Sequence, residues 1–127
     1  MYTIHKNTDH LLIEFLEDFD YQMIRVLIHH VTRLREYPCT NDIWLIGAHH
    51  ADIRLGELES MVRDFQCHCP RDTTRSKTAV VCEQGLTQSV IELWITATRK
   101  RVAFEIRLFR TLEEAQAWLG VAEDQVA

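Results

Sequence analysis

The chain is poor in the residues that interrupt or staple a fold. Its 127 residues include two prolines and four glycines, so there is no material for a low-complexity spacer or a long linker. No Gly-x-Gly-x-x-Gly or Gly-x4-Gly-Lys pattern is present to cradle a phosphate, and Gly85 reads as a turn residue ahead of a helix. Four cysteines allow two bridges, yet Cys82 lies in an apolar run and Cys67-x-Cys69 is too closely spaced to pair within one helical turn. Reduced thiols are therefore expected. No run of eighteen apolar residues occurs, and the opening Met-Tyr-Thr-Ile-His lacks the basic-then-apolar layout of a signal peptide. A soluble cytoplasmic protein with no transmembrane segment is the expectation.

Positive charge is also scarce. The formal net charge is -5, with one Lys against five acids in residues 1–20 and one Arg against four acids in residues 110–127. The basic runs Arg71 to Lys77 and Arg99-Lys100-Arg101 are short. Nucleic acid is not an expected partner, because binding it requires a concentrated basic face that releases counterions.

What is present is periodicity. Tyr2 to Lys6 and His10 to Leu16 read as two strands joined by a tight turn at Asn7-Thr8-Asp9. Asp18 or Asp20 can cap a helix running through Glu36, with Ile24, Leu27, Ile28, Val31 and Leu34 on one face and Pro38 closing it. Ile43 to Ile46 is a continuous apolar run, as expected of a strand buried on both faces, ending at Gly47. Leu58, Met61, Val62 and Phe65 mark a second helix broken near Cys69-Pro70, followed by the polar loop Arg71 to Ser76. Thr78 to Cys82 is a buried strand, and Leu86, Val90, Leu93, Trp94 and Ala97 line a third helix. Phe104, Ile106 and Leu108 then alternate with charged residues in a strand. The capping box Thr111-x-x-Glu114 opens a last helix with Leu112, Ala115 and Leu119 on one face, and Gly120 ends it.

The predicted order is β-β-α-β-α-β-α-β-α in one domain, residues 1–120, with a short tail at 121–127. Strands alternating with helices on short connections imply an α/β fold of parallel neighbours joined by right-handed crossovers, the first strand being an antiparallel edge.

This layout, closing on Arg107-Leu-Phe-Arg-Thr-Leu-Glu-Glu-Ala-x-x-Trp-Leu119 and with Asp20-Tyr21 before the first long helix, resembles the SpoIIAA-like or STAS-like small bacterial proteins. The resemblance implies a right-handed β/α superhelix with a four- or five-stranded mixed sheet. It also implies a non-catalytic regulatory binding module without a cofactor, or else a carrier of a nonpolar small molecule. Antagonists of anti-sigma factors in that superfamily carry a phosphorylatable Ser or Thr just after the third strand. Here the segment from Gly47 to Gly56 has no hydroxyl, and the first one follows at Ser60, so a phosphoswitch is not carried over.

Two candidate sites follow. Ligands in open parallel sheets bind beyond the carboxyl ends of the strands, which selects the loops at Glu17 to Asp20, Gly47 to Asp52, Glu83 to Gly85 and Arg110-Thr111. They place His49, His50, Asp52 and Glu83 on one rim as a candidate polar site. None of these residues has the spacing of a dedicated metal site, and neither His29-His30 nor Cys67-His68-Cys69 supplies one. No metal is assigned, a metal-dependent protein using His49 and His50 being the third and least favoured reading. The second candidate is the third helix, where Ile91 and Ile95 extend the apolar surface beyond the stripe that contains Trp94. With one stripe on the sheet, Ile91, Trp94 and Ile95 are expected to form an interface with a protein partner or a second copy, or to line a groove for a nonpolar ligand.

Overall fold

The computed structural model describes residues 1–35, 37, 40–68, 76–83, 85–102 and 104–120, with the backbone alone at residue 68. The break expected at Cys69-Pro70, the helix stop at Pro38 and the tail at 121–127 lie outside the described residues. The elements are β1 (Tyr2–Lys6), β2 (His10–Phe15), β3 (Phe19–Asp20), α1 (Tyr21–Thr32), β4 (Asn41–Gly47) and β5 (Ala51–Asp52). They continue with α2 (Leu55–His68), β6 (Lys77–Cys82), α3 (Gly85–Arg99), β7 (Glu105–Phe109) and α4 (Leu112–Leu119).

The main sheet has the order β1-β2-β4-β6-β7. β1 is antiparallel to β2, and every later pairing is parallel. Each of the first three helices therefore carries the chain one strand onward in the same direction, and all three pack on one face. There Leu11, Ile13, Phe15, Trp44, Ile46, Val80 and Ile106 of the sheet meet Leu27, Ile28 and Val31 of α1, Met61, Val62 and Phe65 of α2, and Ile91, Trp94 and Ile95 of α3. The alternate residues Leu12, Ile43, Ala79 and Val81 point to the opposite face and meet Ala115 and Leu119 of α4. Period-two alternation delivers both sets from the same strands, which is why β4 reads as continuously apolar.

Local chemistry sets the element ends. Asp20 caps α1 by accepting from Met23 N–H at 3.0 Å. The helix stops at Thr32, short of Glu36, because the chain tightens: Leu34 N–H bonds Val31 O and Tyr37 N–H bonds Leu34 O, which turns Tyr37 into the core. At α4 the N-cap half of the expected box is present, while Glu114 Oε1 accepts from the Thr111 hydroxyl at 3.1 Å and not from the Thr111 backbone N–H. Thr111 Oγ1 accepts from Glu114 N–H at 3.2 Å, and Gly120 adopts φ 74° to close the helix. Trp118 holds α4 over the sheet, with Lys77 Nζ at 5.2 Å and Arg107 Cζ at 5.4 Å from its ring. Helix α2 is tied to its neighbours by Tyr21 Oη donating to Asp64 Oδ2 at 3.0 Å and by Arg101 donating to Glu59 at 2.8 Å.

His10 and Asp42 are among the buried polar side chains. His10 sits in the β1–β2 hairpin between Asp9 Oδ1, 2.7 Å from its Nδ1, and Asn7 Nδ2, 3.1 Å from its Nε2. Asp42, near the start of β4, accepts from Trp44 Nε1 at 2.8 Å and from Thr78 Oγ1 at 2.6 Å. Burial pushes its carboxyl up to about 6, against the smaller opposing pull of those two donors.

Candidate functional site

The loops beyond the carboxyl ends of β2, β4 and β6 are stitched into one rim. Phe19 N–H bonds His50 O at 3.0 Å, and His50 N–H bonds Asp18 Oδ1 at 2.9 Å. Between them β3 and β5 pair in parallel as a second, two-stranded sheet, Phe19 opposite Ala51 and Asp20 opposite Asp52. Glu83 N–H bonds Gly47 O at 2.8 Å, and Ala51 N–H bonds Thr87 Oγ1 at 3.2 Å.

Of the expected polar residues, His49 faces a carboxylate, with Nδ1 3.6 Å from Asp18 Oδ1. His50 contributes to the rim through its backbone. The His50 amide is the main cause holding the Asp18 carboxyl below the usual carboxylate range, and the two imidazoles act in the same sense. Asp52 lies with Glu17, Asp18 and Asp20 around a groove of about 370 Å³ floored by Phe19. Glu83 stands apart over Gly47, its Oε2 4.0 Å from where a β-carbon on that glycine would sit. The rim thus collects the selected residues without converging them. Among the described residues no group of three or more His, Cys, Asp or Glu is placed to hold a metal ion. Cys67 is exposed and Cys82 is buried. His30 Nδ1 is 2.9 Å from Tyr2 Oη.

Gly47 ends β4 at φ 64°, a left-handed conformation that costs an ordinary residue about 1–2 kcal/mol. Since a β-carbon there meets nothing closer than 4.0 Å, Gly47→Ala is expected to lower stability by about 1 kcal/mol through backbone strain alone. Gly47→Asn should cost less, Asn being tolerant of this region. Urea unfolding of the two variants measures the difference, and equal losses would put the cost elsewhere than in φ.

The third helix corrects an expectation. Ile91, Trp94 and Ile95 are 2%, 2% and 4% exposed and belong to the core, so they offer no exposed interface, although Ile95 also reaches the wall of a groove of about 320 Å³ beside Thr96 and Leu108. Leu86 and Leu93, assigned to the sheet side by periodicity, are 77% and 55% exposed. Ala97 is exposed with them and Val90 is half-buried. The helix has two apolar stripes separated by roughly 130° at 100° per residue, and it is turned so that the Ile-Trp-Ile stripe meets the sheet. Trp94 decides this by packing on Trp44 and Phe65, at 6.2 and 5.3 Å between centroids. Thr87 and Thr98 make the inner stripe look polar in the sequence, but both hydroxyls are bonded in place: Thr87 Oγ1 accepts from Ala51 N–H, and Thr98 Oγ1 donates to Trp94 O at 2.7 Å.

The outward stripe is Leu86, Val90, Leu93 and Ala97. A groove of about 540 Å³ runs beside it, lined by Ser89, Glu92, Leu93, Thr96, Ala97 and Lys100. Sequence reasoning missed Asp18 and Thr87 as the groups that fix the rim, because neither lies in a recognisable spacing. The pairing of β3 with β5 was equally hidden, two residues being too few to show a period. No family model, curated protein or solved structure matches this chain.

Proposed function

We propose that this is a non-catalytic protein-binding module of the STAS-like type, docking through the outward face of α3 and the adjoining rim. The observation that carries this reading is the pair of exposed leucines, Leu86 and Leu93, aligned with Val90 and Ala97 on a helix whose other apolar stripe is already buried. Apolar side chains in a row on one helix face favour association, since covering them removes about 25 cal/mol for each Å² taken from water. The consecutive parallel strand order and the opening hairpin suit the right-handed superhelix that the resemblance implies. The carrier reading is weaker, because the residues it relied on, Ile91, Trp94 and Ile95, are buried in the core. The grooves at the surface have polar residues in their walls.

The test compares two double variants. Leu86→Asp with Leu93→Asp is expected to leave the unfolding midpoint within a few degrees of the parent and to reduce binding of an apolar fluorescent dye. Ile91→Asp with Ile95→Asp is expected to unfold the protein. Loss of folding in the first variant would show that the outward stripe is packed and would remove the docking face. A nonpolar mass co-purifying with the parent in native mass spectrometry would replace the binding module by the carrier.

A further inference from the structure

We infer that β7, the open edge of the main sheet, pairs with β7 of a second copy of this chain, antiparallel about a two-fold axis at Ile106, and that Arg99 latches this edge while the chain is alone. The surface is separate from the outward face of α3, and the inference does not rest on that reading.

Among the described residues β7 has one strand neighbour, β6. In a parallel pair a residue turns both its N–H and its C=O toward the same neighbour, and the next residue turns both away. Glu105 N–H bonds Ser76 O at 3.2 Å, so Glu105, Arg107 and Phe109 face β6. The backbone groups of Ile106 and Leu108 therefore point out of the sheet. Arg99 fixes the same phase, its Nε donating to Ile106 O at 3.1 Å from across the edge. Grooves of about 470 and 320 Å³ run along this edge, with Arg99 and Arg107 lining both. Outward N–H and C=O groups at alternate residues specify an extended main chain as the occupant.

The side chains specify which main chain. Reversed about Ile106, β7 sets Glu105 opposite Arg107 of the second copy and Arg107 opposite its Glu105, with Ile106 against Ile106. Both charged residues are exposed, and both fall on the face where Arg107 lies 5.4 Å from the Trp118 ring. Two-fold symmetry supplies the acid-base pair twice, as an isologous contact requires. An axis at Arg107 would set Arg107 on Arg107, and one at Leu108 would set Arg107 against Phe109. Opposite charges directly across a pair stabilise it and like charges oppose it, so the register at Ile106 is selected. In that register Ile106 N–H of each copy donates to Ile106 O of the other, the acceptor that Arg99 holds in the single chain. Pairing therefore requires Arg99 to release it.

A ladder this short makes a small contact, below the roughly 1,200 Å² of standard interfaces, and the dimer is expected to be reversible. Amide exchange read by NMR and sedimentation velocity, both from about 10 to 500 µM, cover the range in which such a contact dissociates. Protection of the Ile106 and Leu108 amides is expected to rise with concentration as monomer moves toward dimer, while Arg107, already turned to β6, stays unchanged. Glu105→Arg and Arg107→Glu should each weaken association about three- to ten-fold, and the two combined should restore it. Arg99→Met keeps the stem, removes the donor and should tighten association about three-fold. All three positions are exposed, so folding is expected to survive, and circular dichroism verifies that. Parent and Arg99→Met both monomeric through this range would overturn self-pairing, leaving intact the stability and dye results that define the α3 face. Association that ignores the single charge changes, or is not recovered in the combined variant, would overturn the register. Association unchanged or weakened by Arg99→Met would overturn the latch.

Discussion

Asp42→Asn is expected to make the protein more stable at pH 7 by about 3 kcal/mol and to leave its stability near pH 4 almost unchanged. The carboxyl ordinarily releases its proton near 3.8, and burial raises that to about 6 in the folded chain. Between those values the folded state holds a proton that the unfolded state has given up. By linkage, stability from this group is fully present below the unfolded value, falls as pH rises through about 6, and is flat above. A two-unit difference corresponds to about 3 kcal/mol at 1.36 kcal/mol per unit. Asparagine can keep both contacts, its Oδ1 accepting from Trp44 Nε1 while its Nδ2 donates to Thr78 Oγ1, and it carries no charge to desolvate. Urea midpoints for parent and variant from pH 4 to 8 measure the gap. A gap that stays constant over that range would mean the Asp42 charge is not what burial penalises.

The second large effect separates two tryptophans in one aromatic cluster. Trp44→Phe should cost about 3 kcal/mol, because it removes ring volume and also strips Asp42 of a 2.8 Å donor in a buried site. Trp94→Phe removes the same volume from a neighbouring position, but Trp94 Nε1 is buried without a hydrogen-bond partner among the described residues. Relief of that orphan donor is worth roughly 1–3 kcal/mol and offsets the lost packing, so the net change should stay within about 1 kcal/mol. Equal losses in the two variants would remove this distinction. In the Asp42→Asn background the cost of Trp44→Phe should shrink, since the acceptor left behind is then neutral, and a double-mutant cycle isolates that coupling.

These two indoles look alike in the sequence. Both sit in apolar runs, and nothing in the spacing tells which N–H finds an acceptor. Asp42 was equally silent, reading as the polar edge of a strand beginning at Ile43. Its burial follows from β4 lying between β2 and β6, beneath the helix layer, which only the sheet order reveals.

The candidate site was legible in part. The rule that ligands gather beyond the carboxyl ends of parallel strands selected the loops that do form one rim, and His49 does face an acid there. Its acid is Asp18, which came into view only once the His50 amide and the β3–β5 pairing drew the two loops together. The third helix shows the limit of periodicity most plainly. The sequence contains both apolar stripes, and a moment calculated around the helix cannot say which of them meets the sheet. Threonines at 87 and 98 give the inner stripe a polar look, because a hydroxyl counts as polar until its hydrogen bond is seen.

The residue pattern alone determined the α/β class, the opening hairpin, four helices and all five main strands to within a few residues, and the caps at Thr111 and Gly120, while leaving Asp18 and Asp20 open as caps of α1. Those features depend on neighbours three or four positions away, and short-range chemistry is written directly in the order of residues. Tertiary structure decided the rotation of α3, the burial of Asp42 and the joining of Asp18 to the loop that follows Gly47. Each of these depends on groups more than thirty residues apart, whose meeting is set by how layers pack and by which buried donors and acceptors can be satisfied together.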